Sequence, residues 1–192
     1  MAGTTTFTQR MRVGSPALVG SLCYAAAAAM AVGGLASAYL TVRHGAGTDF
    51  VPPAMKFNNY AAVLTLITMG IASIGAGWAV SVTRFNHRRW MFMGFALAAF
   101  MSLAAMNLVW VLGAGLGFGV NEHPYAVFVY ALLAAALLAL AIAAGTALLA
   151  AGRSLAGQVS AEQPHLGRAA AWVVHTATLV WLVVFAIIYL YK

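Results

Sequence analysis

Residues Trp172 to Lys192 read WVVHTATLVWLVVFAIIYLYK, and this stretch decides the fold. It is long enough to cross a bilayer, contains no acid, and ends in Tyr189 and Tyr191 with Lys192 beyond them. Interfacial tyrosines and a terminal lysine are what anchors a transmembrane helix at the lipid headgroups. Within it, Trp172, His175, Thr178 and Trp181 recur every three residues. On a helix that spacing gives a stripe that drifts slowly around the axis. An ionisable side chain inside an apolar span marks a candidate functional position. The alternative is a neutral histidine hydrogen-bonded between helices.

Composition extends the reading to the whole chain. Of 192 residues, 64% are hydrophobic and 7% charged, against about 25% charged in soluble domains. The expectation is an all-α integral membrane protein. Cys23 is the one cysteine, so an internal disulfide and a cysteine-based metal site are excluded. In its apolar run it is expected to pack as a small hydrophobe. The formal charge of +7 comes from ten Lys and Arg scattered over loops and ends. They form no basic run interleaved with aromatics, as a nucleic-acid surface needs.

Residues 1–16 are polar and read as a short tail. The first apolar run, from Ala17 to Val42, ends near the small residues Ala36-Ser37-Ala38. It is too long for a signal-peptide core of about 7–15 residues and is expected to be a membrane span. Five spans are predicted in one membrane domain covering 17–192, at about 17–42, 58–82, 90–116, 125–151 and 169–190. Each meets the requirement of roughly 20 apolar residues. Small residues on the first (Gly33, Gly34) and second (Gly70, Ser73, Gly77) predict close helix packing.

The connecting segments differ in charge. Residues 43–57 contain Pro52-Pro53, which end a helix. Residues 83–89, TRFNHRR, are basic; 117–124 carry no Lys or Arg; 152–168 form the longest internal loop. Seven of the ten Lys and Arg lie on the side of the tail and the second and fourth loops, and three on the other. The positive-inside rule then predicts a cytoplasmic N-terminus and an extracytoplasmic C-terminus.

Few residues could carry chemistry. Asp49, Glu122 and Glu162 are the only acids and fall in predicted loops, as do His44, His87, His123 and His165. That leaves His175 alone in the membrane. A haem or copper site draws two or more ligands from facing helices, and one histidine does not supply them. The adjacent Glu122-His123 pair reads as a solvated turn. The run Gly113 to Gly119 lacks the strand–loop–helix frame and Lys-Ser/Thr of a phosphate loop and reads as a helix exit. Asn107 is expected to be buried in the third span, bonded to a neighbouring helix.

The last helix resembles a motif of subunit III of the haem–copper oxidases, approximately W-x-W-H-F-V-D-x-V-W with an aromatic tail. Trp172, His175, Val180, Trp181 and Tyr189 match it, and Thr178 stands in place of the aspartate. Met30, Gly34, Leu35, Tyr39 and Arg43 resemble the first helix of the short five-helix bacterial form. Pro52-Pro53 followed by Asn58 and Tyr60 resembles the entry to its second helix, and Arg88-Arg89-Trp90 the opening of its third. The chain departs from the family where Ala28, Ala105 and Leu108 replace polar residues, and where residues 130–145 hold no histidine.

The resemblance implies a non-catalytic accessory subunit of a bacterial cytochrome c oxidase. Such a subunit binds no cofactor itself. It flanks the catalytic subunit I, with subunit II in the same plasma-membrane complex, where haem and copper reside. It binds phospholipid between its helices and supports sustained oxygen reduction. In this chain a lipid cleft is expected where two helices part from three, at residues 83–89, beside Arg89 and Trp90. Two other readings are an accessory or assembly protein of a nitric-oxide reductase or oxidase, and a small transporter. A transporter normally needs a polar midplane site and internal repeats.

Overall fold

The computed structural model describes residues 15–46 and 58–190. The tail up to residue 14, Asp49, Pro52-Pro53, Lys56, Tyr191 and Lys192 lie outside the described residues. Five helices are long and apolar enough to cross a membrane, and no strand occurs among the described residues. The protein is a multi-pass membrane protein.

Helix α1 covers Pro16–Ala46, α2 Asn59–Val82, α3 Arg88–Ala114, α4 Pro124–Leu155 and α5 His165–Phe185. A 3-10 turn, Thr83–Phe85, follows α2, and a π-helical turn, Ala186–Leu190, extends α5. The helices outrun the predicted spans. Arg43 and His44 belong to the last turn of α1, and the long fourth loop shrinks because α4 continues through Arg153 to Leu155. The 32 residues of α4 rise about 48 Å, well past a hydrocarbon core of about 30 Å. Polar residues at helix ends therefore stay helical beyond the apolar run that hydropathy detects.

Helix starts follow local chemistry. Asn58 caps α2, its side-chain oxygen accepting from Ala61 N at 3.0 Å. His123 caps α4 through Nδ1, which accepts from Tyr125 N at 3.2 Å, and Pro124 fills the first turn where no N–H is needed. Asn86 turns the chain into α3 with φ of 54°, a left-handed conformation that Asn tolerates.

Helices α2, α3, α4 and α5 form a ring in which each packs on the next and α5 closes on α2. Helix α1 lies outside the ring against α5 and α4. Only Ser21, Val32 and Tyr39 are buried on it. Most of α1, Cys23 included, faces outward, which corrects the expectation that Cys23 packs inside. The small residues of α1 do not mediate close approach either: a Cβ at Gly33 or Gly34 would meet nothing within 4 Å.

The tight seam is α2 against α3. A Cβ at Gly94 would lie 2.7 Å from Ala79 Cβ and 2.9 Å from the Gly75 carbonyl oxygen, so the two backbones touch where no side chain intervenes. The expected parting of two helices from three is therefore absent at this seam.

Hydroxyls buried in the bundle bond their own helix. Thr65 donates to Ala61 O, Thr83 to Ala79 O and Ser102 to Ala98 O, at 2.8, 3.1 and 2.8 Å. In lipid these groups have no water to turn to, and the carbonyl four residues back satisfies them without a second helix.

Candidate functional site

The drifting stripe of α5 resolves into three environments. Each step of three residues falls about 60° short of a full turn, so Trp172 and Trp181 end on opposite sides of the helix. Trp172 is 51% exposed and Trp181 fully buried. Between them, half-buried His175 and Thr178 face α2.

Residue Ser73 of α2 meets His175 there, with Ser73 Oγ 2.5 Å from His175 Nδ1. Gly77, one turn along α2, borders the ring: a Cβ at that position would lie 4.0 Å from His175 Cε1, an ordinary contact. Thr178 Oγ1 donates to Val174 O at 3.0 Å on its own helix and reaches Met69 O on α2 at 3.4 Å. Of the three small residues read on the second span, Ser73 bonds His175 and Gly77 borders it. Gly70 does neither, because its Cβ position is open. The site is a polar clasp between α2 and α5. Among the described residues no group of three His, Cys, Asp or Glu side chains comes together.

A second polar cluster joins the end of α1 to the start of α4 and the end of α5. Tyr39 and Tyr125 are both fully buried, with ring centroids 5.9 Å apart and nearly edge to face. Their side chains interact with each other and with half-buried Arg43. Tyr189 adds a third phenol, stacked on Phe185 at 5.4 Å. The sequence motif paired Tyr39 with Arg43 on one helix; Tyr125 on α4 completes the group. The nearby Glu122-His123 pair is divided, His123 being spent on capping α4.

At the opposite end the arginines gather. Arg88, Arg89 and Trp90 are exposed at the start of α3, and Trp90 packs edge to face on Trp78 with centroids 5.7 Å apart. Two contacts lock the second loop to the fourth. Asn86 Oδ1 accepts from Ala161 N at 2.8 Å, and the Arg88 guanidinium lies over Gly157, whose φ is +75°. Beside this junction a pocket of about 300 Å³ is lined by Ser81, Thr83, Arg84, Pro164 and Arg168, among others. Its walls offer two guanidinium groups to an anion, while the Ser81 and Thr83 hydroxyls donate to Gly77 O and Ala79 O.

Asn107 is exposed on α3 rather than buried, a correction to its expected role between helices. The chain's other loop histidines sit at helix ends: His87 precedes α3, and His165 begins α5 with Nδ1 buried and without a hydrogen bond among the described residues. Sequence reasoning missed Tyr125 and Asn86. An Asn just ahead of a helix and a Tyr directly after a Pro-led helix start were the available signals.

Neither a protein-family model nor a curated protein matches the chain.

Proposed function

We propose that this chain is a non-catalytic accessory subunit of a bacterial haem–copper terminal oxidase, similar to the five-helix form of subunit III. It packs on the catalytic subunit and phospholipid in the plasma membrane, with its N-terminus in the cytoplasm. The orientation rests on the seven-to-three division of Lys and Arg between the two sides.

The observation that carries the reading is the placement of the motif positions on five membrane helices. Tyr39 and Arg43 lie at one end of the bundle, Arg88-Arg89-Trp90 at the other, and His175 in the last helix against Ser73. His175 is engaged in holding two helices together, a structural use of a polar group in lipid. Haem and copper belong to the partner catalytic subunit, where oxygen reduction takes place.

The arginine-lined pocket at Arg84 and Arg168 suits a phospholipid headgroup at the cytoplasmic face, where basic side chains meet anionic lipid. It replaces the α2–α3 seam as the lipid position. Mass spectrometry of the gently purified protein should find retained phospholipid, and Arg84→Ala with Arg168→Ala should lower it; a lipid-free protein would contradict this.

Depletion of the chain from its native host tests the function itself. The expected outcome is normal initial oxygen uptake by membranes, with activity decaying faster over repeated turnover. Oxygen uptake unchanged in rate and durability would overturn the proposal.

A further inference from the structure

Asn107 is an exposed amide within the apolar stretch of α3, and it makes no hydrogen bond among the described residues. Trp90 and Trp110 are about 30 Å apart along α3, the thickness of a hydrocarbon core. That places Asn107 about one helical turn inside the Trp110 level. Acyl chains offer an amide neither donor nor acceptor, so a carboxamide held at this depth favours an occupant that does.

The surroundings have the shape of a helix seat. Leu103, Met106, Asn107 and Trp110 line one wall of an open groove on α3. Their spacing of three, four and seven residues is one face of a helix. The other wall is α4 from Ala134 to Ala141, with the same spacing and alanines at both ends. The groove holds about 630 Å³. Trp110, 67% exposed, stands along it, and the groove continues past that residue toward Gly113 and Tyr130. Two walls at helical spacing with small residues at the ends accept the ridge of a third helix.

We propose that this groove is a homodimer interface, filled by α3 of a second copy of the chain in the same membrane. A carboxamide both donates and accepts, so it is its own complement. Two copies inserted with the same topology and related by a twofold axis along the membrane normal place Asn107 opposite Asn107 at one depth. A helix of unrelated sequence would need a polar group at that same level. The dimer is independent of the oxidase reading, because it uses the α3–α4 face and leaves the α2–α5 clasp and the arginine pocket free.

The test is energy transfer between donor- and acceptor-labelled full-length protein in phosphatidylcholine vesicles, across a range of protein-to-lipid ratios. Transfer should saturate at a stoichiometry of two. Asn107→Leu should weaken association about 3- to 20-fold, the range expected for one interhelical hydrogen bond in a membrane, and Asn107→Gln should restore most of it. In a Cys23→Ala background, Leu103→Cys or Trp110→Cys should give an oxidative dimer crosslink, whereas Ile67→Cys on α2 should not. Absence of transfer at every ratio, association indifferent to Asn107→Leu, or crosslinking at Ile67→Cys in place of the groove positions would each overturn the proposal.

Discussion

Gly94→Ala and Gly70→Ala make a matched pair of substitutions that isolates the α2–α3 contact. Both glycines are inside helices, and each change gains the same intrinsic preference for alanine, about 1 kcal/mol in water and less in lipid. At Gly94 the new methyl would be 2.7 Å from Ala79 Cβ, 2.9 Å from Gly75 O and 3.1 Å from Ala79 Cα. Two of those neighbours are backbone atoms, so relief requires the helices to separate. Overpacking of this kind costs about 1–3 kcal/mol. At Gly70 nothing lies within 4 Å, so no such term arises. The difference between the variants cancels helix preference and should be about 1–3 kcal/mol, with Gly94→Ala the less stable. Equilibrium unfolding in mixed micelles titrated with a denaturing detergent measures it. Equal stabilities, or a less stable Gly70→Ala, would refute the close approach of α2 and α3.

The two tryptophans of the α5 stripe should behave oppositely: Trp181→Ala empties a fully buried site and should cost about 3 kcal/mol, the low end for such truncations because lipid rather than water is the reference. Trp172→Ala, at a half-exposed position, should cost under about 1 kcal/mol in the same unfolding titration. His175→Ala removes the Ser73 bond and should lower stability by about 0.6 kcal/mol, 1.7 at most. Under the proposed accessory role, intrinsic electron transfer in an assembled oxidase should stay unchanged; complete loss of oxidase activity with assembly intact would refute the structural role of His175. Gly157→Ala forces a methyl into a left-handed backbone and to within 2.8 Å of Arg88 Cζ. It should cost about 1–2 kcal/mol and speed proteolysis of the 156–164 loop, while Gly152→Ala, in open space, should do neither.

The five spans were legible because length and hydropathy are the physical requirements for crossing a bilayer. Helix rotation was much less legible. A soluble helix shows its core face by contrast with its polar face, but here lipid is as apolar as the interior, so the contrast fades. That is why Asn107 and Cys23 read as buried and proved to face outward. The Asn58 cap of α2 went unread in the sequence, where Asn58 entered only through the family resemblance. The partner of His175 could not be read either, since Ser73 lies 102 residues away and differs in no local way from other small residues. Spacing by three showed that Trp172 and Trp181 share a drifting stripe, but only the position of α2 determines which part is clasped. The parting expected at residues 83–89 failed for a similar reason: Gly75 and Gly94 become a contact only when their helices cross.

Gentle purification of the tagged protein from its native membrane, with an absorption spectrum and identification of every co-purifying chain, tests the central claim most directly. Haem bands accompanied by a large multi-helix catalytic subunit are the predicted result. A colourless protein without such a partner would contradict the accessory-subunit assignment while leaving the five-helix membrane fold intact.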